Sequence, residues 1–282
     1  MKTRVLIITS GFSSFVTELI LCDQLSVVGV LDCISDNRLK RYSENINLPY
    51  NILKEQDDQL IQWIKEKKPD VIAVFMMPFL LKKEIFSIPK YGSLNIHPSL
   101  LPKYRGPNPW FWVYYNMEQE SGVTIHAINE KEDSGSIVFQ HKFKIPLGTD
   151  LNLLRDESAK IGIKLMLEAL CDIENINLIP QPIASPTHRA RNIFDYTGMI
   201  DWQTWPVVRL WHLLSGFPDV INSNPNYHLL NKKLKPIGYN EDSIKIPIGQ
   251  FILLDDLYTL KCIDGSILFE IDNFSLLHPN TQ

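Results

Sequence analysis

Cysteine is scarce in this 282-residue chain: four, at positions 22, 33, 171 and 262, with no CxxC pair. That spacing excludes a zinc knuckle and a redox dithiol motif, and buried, reduced thiols in a reducing cytosol are expected instead. No run of about eighteen apolar residues exists, so no membrane-spanning segment is expected. After Met1-Lys2-Thr3-Arg4 the apolar run Val5–Ile8 soon meets Ser10-Gly11. It is too short for a signal peptide and suits a buried first strand. Charge of one sign is lacking too. Lys and Arg number 28 against 32 Asp and Glu, leaving a net charge of −4 and a pI near 6.0. That balance carries no electrostatic bias toward nucleic acid or an anionic membrane. The turn Ser10-Gly11-Phe12-Ser13-Ser14 has one glycine and no GxGxxG, which argues against a dinucleotide cofactor. Repeats, low-complexity tracts and clusters of metal ligands are absent from the sequence. A cytoplasmic protein without nucleic-acid, membrane or metal partners is expected.

What is present is a full-sized core. Hydrophobic residues make up 45% and charged residues 21%, ordinary for a globular protein with one large and one smaller domain. The first half alternates buried strands with helices. Strands are expected at Arg4–Thr9, Leu25–Leu31, Val71–Phe75 and Ser93–His97. Helices are expected at Phe15–Asp23, Asp57–Lys67 and Leu81–Phe86. This alternation predicts an α/β, Rossmann-like, mostly parallel sheet with helices on both faces. From Gly122 the pattern changes to a strand pair, Val123–Ile128 and Ser136–Ile145, joined by a charged loop and followed by the long helix Asn152–Cys171. Pro180–Pro186 holds three prolines and marks a crossover. Beyond the helix Val207–Leu214, short strands at Lys245–Pro247, Gln250–Leu253, Thr259–Cys262 and Ile267–Ile271 suggest a small, mostly β C-terminal domain. The expected division is a catalytic domain at 1–180, a linker at 181–204 and the β-rich domain at 205–282.

The chemistry concentrates in Ser93-Leu94-Asn95-Ile96-His97-Pro98-Ser99-Leu100-Leu101-Pro102-Lys103-Tyr104-Arg105-Gly106-Pro107-Asn108-Pro109, then in Gly122-Val123-Thr124-Ile125-His126 and Asp133-Ser134-Gly135. Side chains alternate along a strand, so Asn95 and His97 share a face, about 6–7 Å apart. Pro98 ends the strand, which puts both groups at the carboxyl edge of the sheet, where open α/β sheets bind their ligands. Taken singly, each residue has a plainer use: a strand-end histidine is ordinarily structural, and aspartate is common in turns. His126 lies on a strand face without matching partners and reads as structural or peripheral.

The order and spacing of these motifs resemble the folate-dependent formyltransferase family, over roughly residues 1–180. The resemblance implies 10-formyltetrahydrofolate as donor, no metal, and Asn95, His97 and Asp133 as the catalytic trio. The residue types suit that reaction. An amine attacks the formyl carbon, and Asn95 can donate an N–H to the developing oxyanion, a contact worth about 3–4 kcal/mol. His97 titrates near neutrality and can move the amine's proton. Asp133 can orient the imidazole, stabilise its charged form or hold a relaying water. The family places its folate pocket at the loop Met76–Leu80 and at the loop of Asp133. Met77, Phe79, Leu80, Leu101 and Glu132 are therefore the expected donor contacts, and the loop Leu100–Gly106 shapes the same cleft.

Three acceptor amines compete within the family. The extra C-terminal portion argues against glycinamide ribonucleotide. Methionyl-tRNA formyltransferase also carries a C-terminal β domain, and Met199-Ile200-Asp201-Trp202 resembles its corresponding region. A tRNA surface should be basic, yet residues 201–282 hold six basic and nine acidic residues, a balance of −3. The stretch Tyr104–Trp110 is most similar to the sugar N-formyltransferases, which need cations for a pyrophosphate and aromatic platforms for a base. The expected substrate is thus a dTDP- or UDP-linked amino dideoxy sugar. Its candidate contacts are Ser10, Gly11, Arg105, Asn108, Arg189, Arg191, Tyr196 and Trp202, with Trp205 and Tyr227 as further aromatics. The resemblance also implies a homodimer. The reading from another class is a non-catalytic nucleotide-binding module.

Overall fold

The computed structural model describes residues 2–230, 233–241 and 244–272. They divide into two compact units, each discontinuous in sequence. The first comprises Met1–Pro109, Glu120–Phe143 and Asp156–Arg191; the second comprises Trp110–Gln119, Lys144–Arg155 and Asn192–Gln282. Residues 205–282 thus fall within the second unit, which also takes in two pieces of the stretch 1–180. Among the described residues no helix is long and apolar enough to cross a membrane.

The first unit is built on a seven-stranded sheet. Its strands are β1 (Thr3–Thr9), β2 (Leu25–Asp32), β3 (Tyr50–Ile52), β4 (Val71–Phe75), β5 (Ser93–His97), β6 (Glu120–Ala127) and β7 (Ile137–Lys144), in the order β3-β2-β1-β4-β5-β6-β7. The pairs among β1 to β5 are parallel, and β6 runs antiparallel to β5. Alternation along β1 shows why the sheet is covered twice. Val5 and Ile7 join one apolar cluster with α1 (Ser14–Leu21), α2 (Asn37–Asn45) and α6 (Leu151–Cys171). Leu6 and Ile8 join the other, with α3 (Asp58–Lys67) and α4 (Lys83–Phe86). All four β1 residues are fully buried, as strands covered on both faces require.

Two elements of this unit are absent from the expectation above. Helix α2 buries only Leu39 and Ser43 along its length, so its sequence lacks an apolar stripe; Asp36 caps it by accepting from the Arg38 N–H. Strand β3 is three residues at the sheet edge.

The second unit carries α5 (Pro109–Tyr115, after its first residue), α7 (Val207–Gly216) and a four-stranded antiparallel sheet. The strands β8 (Leu234–Asn240), β9 (Phe251–Leu254), β10 (Leu257–Lys261) and β11 (Ser266–Ile271) run in the order β8-β11-β10-β9. A strand expected at Lys245–Pro247 is not formed there. Strand β8 takes its place, with Pro236 inside it. Proline is tolerated because β8 is an edge strand with a bulge opposite Leu268/Phe269.

His212 on α7 is buried and stacks on Tyr114, with ring centroids 4.6 Å apart and planes 8° from parallel. Its Nδ1 accepts from the Gly148 N–H at 3.3 Å, so that nitrogen is bare. Burial pushes the imidazole down from 6.5 to about 4. The folded state therefore resists a proton that the unfolded chain takes up below about pH 6.5, so His212 stabilises above that pH and the contribution fades as pH falls toward 4. The loss should reach about 3 kcal/mol at pH 4. Comparing unfolding free energies of wild type and His212→Gln at pH 7 and pH 4 measures it: the variant should show a smaller acid loss, and parallel losses would refute the assignment.

Candidate active site

Strands β1, β4 and β5 are parallel neighbours, so their carboxyl ends meet at one edge of the sheet. From β1 the chain first builds outward through β2 and β3, then returns to the other side of β1 with β4 and β5. That reversal opens a crevice between β1 and β4, the place where such sheets take ligands. The turn at Ser10 and Gly11 and the loop from Met76 flank it. Ser10 Oγ donates to the Met76 carbonyl at 2.5 Å.

At the end of β5 the structure brings Asn95, His97 and Asp133 together, and adds His126. Asn95 lies opposite His126 in the β5–β6 register, and cross-strand partners point the same way. Asn95 Nδ2 lies 3.2 Å from His126 Nε2. The Asp133 carboxylate sits between the two imidazoles, with Oδ2 at 3.6 Å from His97 Nδ1 and Oδ1 at 3.5 Å from His126 Nε2. His126 had looked peripheral because its partners emerge only when β6 is laid antiparallel in this register.

Backbone partners decide the tautomers. His97 Nε2 lies 3.0 Å from the Tyr104 carbonyl, which can only accept, so Nε2 carries a proton and Nδ1 is left to face Asp133. His126 Nδ1 likewise donates to the Ala127 carbonyl at 2.9 Å, leaving Nε2 to receive one Asn95 N–H. Among the described residues, the second Asn95 amide hydrogen has no hydrogen-bond acceptor. Burial pushes His97 below its ordinary 6.5, against the opposing pull of Asp133. Burial alone would raise Asp133, but the attraction of the His97 and His126 imidazoles in their charged forms, with the Gly106 N–H, outweighs it and holds the carboxylate below its usual range. A neutral imidazole with its free nitrogen turned to a buried carboxylate is ready to take up a proton.

The surrounding loops are tied down. Thr124 Oγ1 donates to the Ser99 carbonyl at 2.6 Å and accepts from the Leu101 N–H and Gln140, stapling the loop after β5 to β6. Gly106 donates its N–H to Asp133 Oδ2 at 2.8 Å. With φ +124°, and a hypothetical Cβ 2.9 Å from the Ala190 carbonyl, only glycine fits that position.

The remaining candidates fall in different settings. Met77 and Phe79 are half-buried, and Leu80 is exposed beside them. Leu101, by contrast, is buried in the core at 3% exposure. Glu132 holds Arg189 in a two-pronged ion pair. Gly11's N–H is taken by the buried Asp32 carboxylate. Arg105 spends its guanidinium on Gln181 and the carbonyls of Pro182 and Ile183, and Asn108 pairs through its backbone with Ala190. Arg191 is exposed. Tyr196 and Trp202 belong to the second unit, where Tyr196 lies against Phe111 and Trp202 is buried. A cavity of about 550 Å³ adjoins the Asp133 loop, lined among others by Lys83, Phe86, Lys131, Glu132 and Ile183.

Residues 4–170 match the formyl transferase family model. The chain belongs to that family. Members similar to it include the methionyl-tRNA formyltransferase of Caldanaerobacter subterraneus subsp. tengcongensis, 34% identical over 164 residues, covering 57% of this chain and 52% of that protein. The methionyl-tRNA formyltransferase of Wolbachia sp. subsp. Drosophila simulans is 44% identical over 107 residues, covering 38% and 36%. This formyl transferase-family chain therefore spans about half the length, or less, of these curated relatives. Among solved structures, WlaRD, a sugar 3N-formyl transferase crystallised with dTDP and 5-N-formyl-THF, matches with a TM-score of 0.71 at 19% identity, over 97% of this chain and 98% of its own. The phosphoribosylglycinamide formyltransferase of Bacillus halodurans matches at 0.56 and 21%, over 61% of this chain and 96% of its own. At these identities the structures establish the fold.

Proposed function

We propose that the chain is an N-formyltransferase that uses 10-formyltetrahydrofolate, and that Asn95, His97 and Asp133 carry the transfer. The observation behind this reading is the convergence of an amide donor, a neutral imidazole and a carboxylate at the β5 edge, within a formyl transferase family match. The residues fit a folate: Met77 and Phe79 offer an apolar lip at the crevice, and in the cavity by the Asp133 loop, where Lys83 is paired with Glu130 at 2.6 Å, Lys131 adds a cation toward an anionic tail. As the acceptor amine attacks the formyl carbon, the free Asn95 N–H meets the developing oxyanion. His97 Nδ1 takes the proton lost by the amine, directly or through one water, and Asp133 stabilises the resulting imidazolium. The proton then goes to the departing N10.

For the acceptor we propose the amine of a nucleotide-linked (dTDP- or UDP-) amino dideoxy sugar. Two observations support it: the likeness in fold to a sugar 3N-formyl transferase extends over both units, and residues 201–282 carry net negative charge. A second reading, methionyl-tRNA, has the better support in sequence identity, because the curated relatives reported above bear that name. The two separate in one assay. Purified protein with 10-formyltetrahydrofolate is offered a panel of dTDP- and UDP-linked 3- and 4-amino sugars and, in parallel, charged initiator tRNA. Formylated sugar, seen as a 28 Da mass gain (the mass of CO), is expected; modification of the tRNA alone would replace this reading with the second.

A further inference from the structure

We propose that Gln181, braced by Arg105, is a positioning residue that holds Asp133 in place for His97; this rests on the formyl-transfer reading above. Asp133 has φ +46°, in the left-handed region that aspartate tolerates in turns. One side-chain amide bridges that turn. Gln181 Nε2 donates to the Asp133 carbonyl at 3.0 Å and to the Gly135 carbonyl at 2.7 Å, bridging both sides of the turn. Its Oε1 accepts from Arg105 Nε at 3.2 Å and Nη2 at 2.8 Å. The orientation of the amide is thereby determined: reversed, it would set an NH2 against a guanidinium and an oxygen against two carbonyls.

Arg105 connects this clamp to the rest of the site. Its neighbours are Tyr104, whose carbonyl receives the His97 Nε2 proton, and Gly106, whose N–H grips Asp133 Oδ2. Its own carbonyl accepts from the Ala190 N–H at 2.7 Å. Residues 104–106 thus touch His97, the Asp133 carboxylate and, through Gln181, the Asp133 backbone. The proline-rich stretch expected to be a linker supplies this clamp, lying in the first unit across the two loops that aim the imidazole and the carboxylate.

Gln181→Leu removes the four hydrogen bonds of the Gln181 amide and leaves an apolar side chain in its place. Gln181→Glu keeps a partner for Arg105 but loses the donor, and guards against a misfolded first variant. Both should lower kcat about tenfold or more, with KM for the acceptor within about two-fold of wild type; Gln181 also lines the cavity by the Asp133 loop, so KM for the donor is free to rise. Asp133 raises the proton affinity of His97, so its drift should move the acid limb of kcat/KM, and the NMR titration of the His97 ring, to lower pH. That ring titration needs no turnover: if wild type transfers no formyl group, the functional reading fails while the titration still decides the clamp. A kcat within about two-fold of wild type, or an unmoved His97 titration in either folded variant, would overturn the proposal.

Discussion

Replacing His97 with glutamine is expected to lower kcat for formyl transfer by about 10²–10⁴-fold, the range that a positioned acid–base group supplies. Glutamine can still donate an N–H toward the Tyr104 carbonyl, so the local bond at 3.0 Å in the native protein has a substitute and the fold should survive. What disappears is a titratable nitrogen facing Asp133 at 3.6 Å. The loss should appear in kcat and kcat/KM alike, because proton transfer belongs to the transition state. In wild type, burial depresses the His97 pKa below 6.5. The imidazole is then neutral across pH 7–8, and the acid limb of kcat/KM should fall below pH 6.5 and vanish in the variant. Stopped-time assays of tetrahydrofolate release over pH 5–9 measure both effects. A variant retaining more than about a tenth of wild-type kcat, or an unchanged acid limb, would remove His97 from the chemistry.

The second large effect is expected at Asn95. Alanine there should reduce kcat by about 10²–10³-fold, the usual consequence of deleting one oxyanion donor. One Asn95 N–H is engaged with His126 Nε2 at 3.2 Å, so the amide is already aimed when the substrate arrives. Fixing a donor before reaction spares the reorganisation that water would need. Asn95→Asp keeps the shape but turns a second acceptor toward the oxyanion and should be at least as damaging as alanine. His126→Ala releases the aim without removing the donor, so its effect on kcat should be smaller than that of Asn95→Ala. Steady-state kinetics of the three variants rank them, and a His126→Ala loss exceeding that of Asn95→Ala would assign the larger part to the imidazole.

The sequence made the sheet legible where strands are apolar throughout. Val71–Phe75 and Ser93–His97 form as expected to the residue, because both are short buried runs bounded by turn residues. Helix α2 and strand β3 escaped for the opposite reason: one buries two side chains and the other is three residues long. In the second unit the proline of β8 hid a strand that only an edge position and a bulge permit. At the site, Asn95 and His97 were legible from the period of two along β5, and Asp133 from the family resemblance. His126 was not, because its relation to Asn95 depends on the antiparallel register of β6. Neither was Gln181, whose contacts span 46 to 76 residues of sequence and arise from loops without a repeating pattern.

A crystal structure with a non-reactive 10-formyl folate analogue tests most directly whether these groups share one target. The formyl oxygen should lie about 3 Å from Asn95 Nδ2, with His97 and Asp133 lining the same side of the crevice. An analogue seated with its formyl group away from the end of β5, out of reach of all three side chains, would contradict the mechanism.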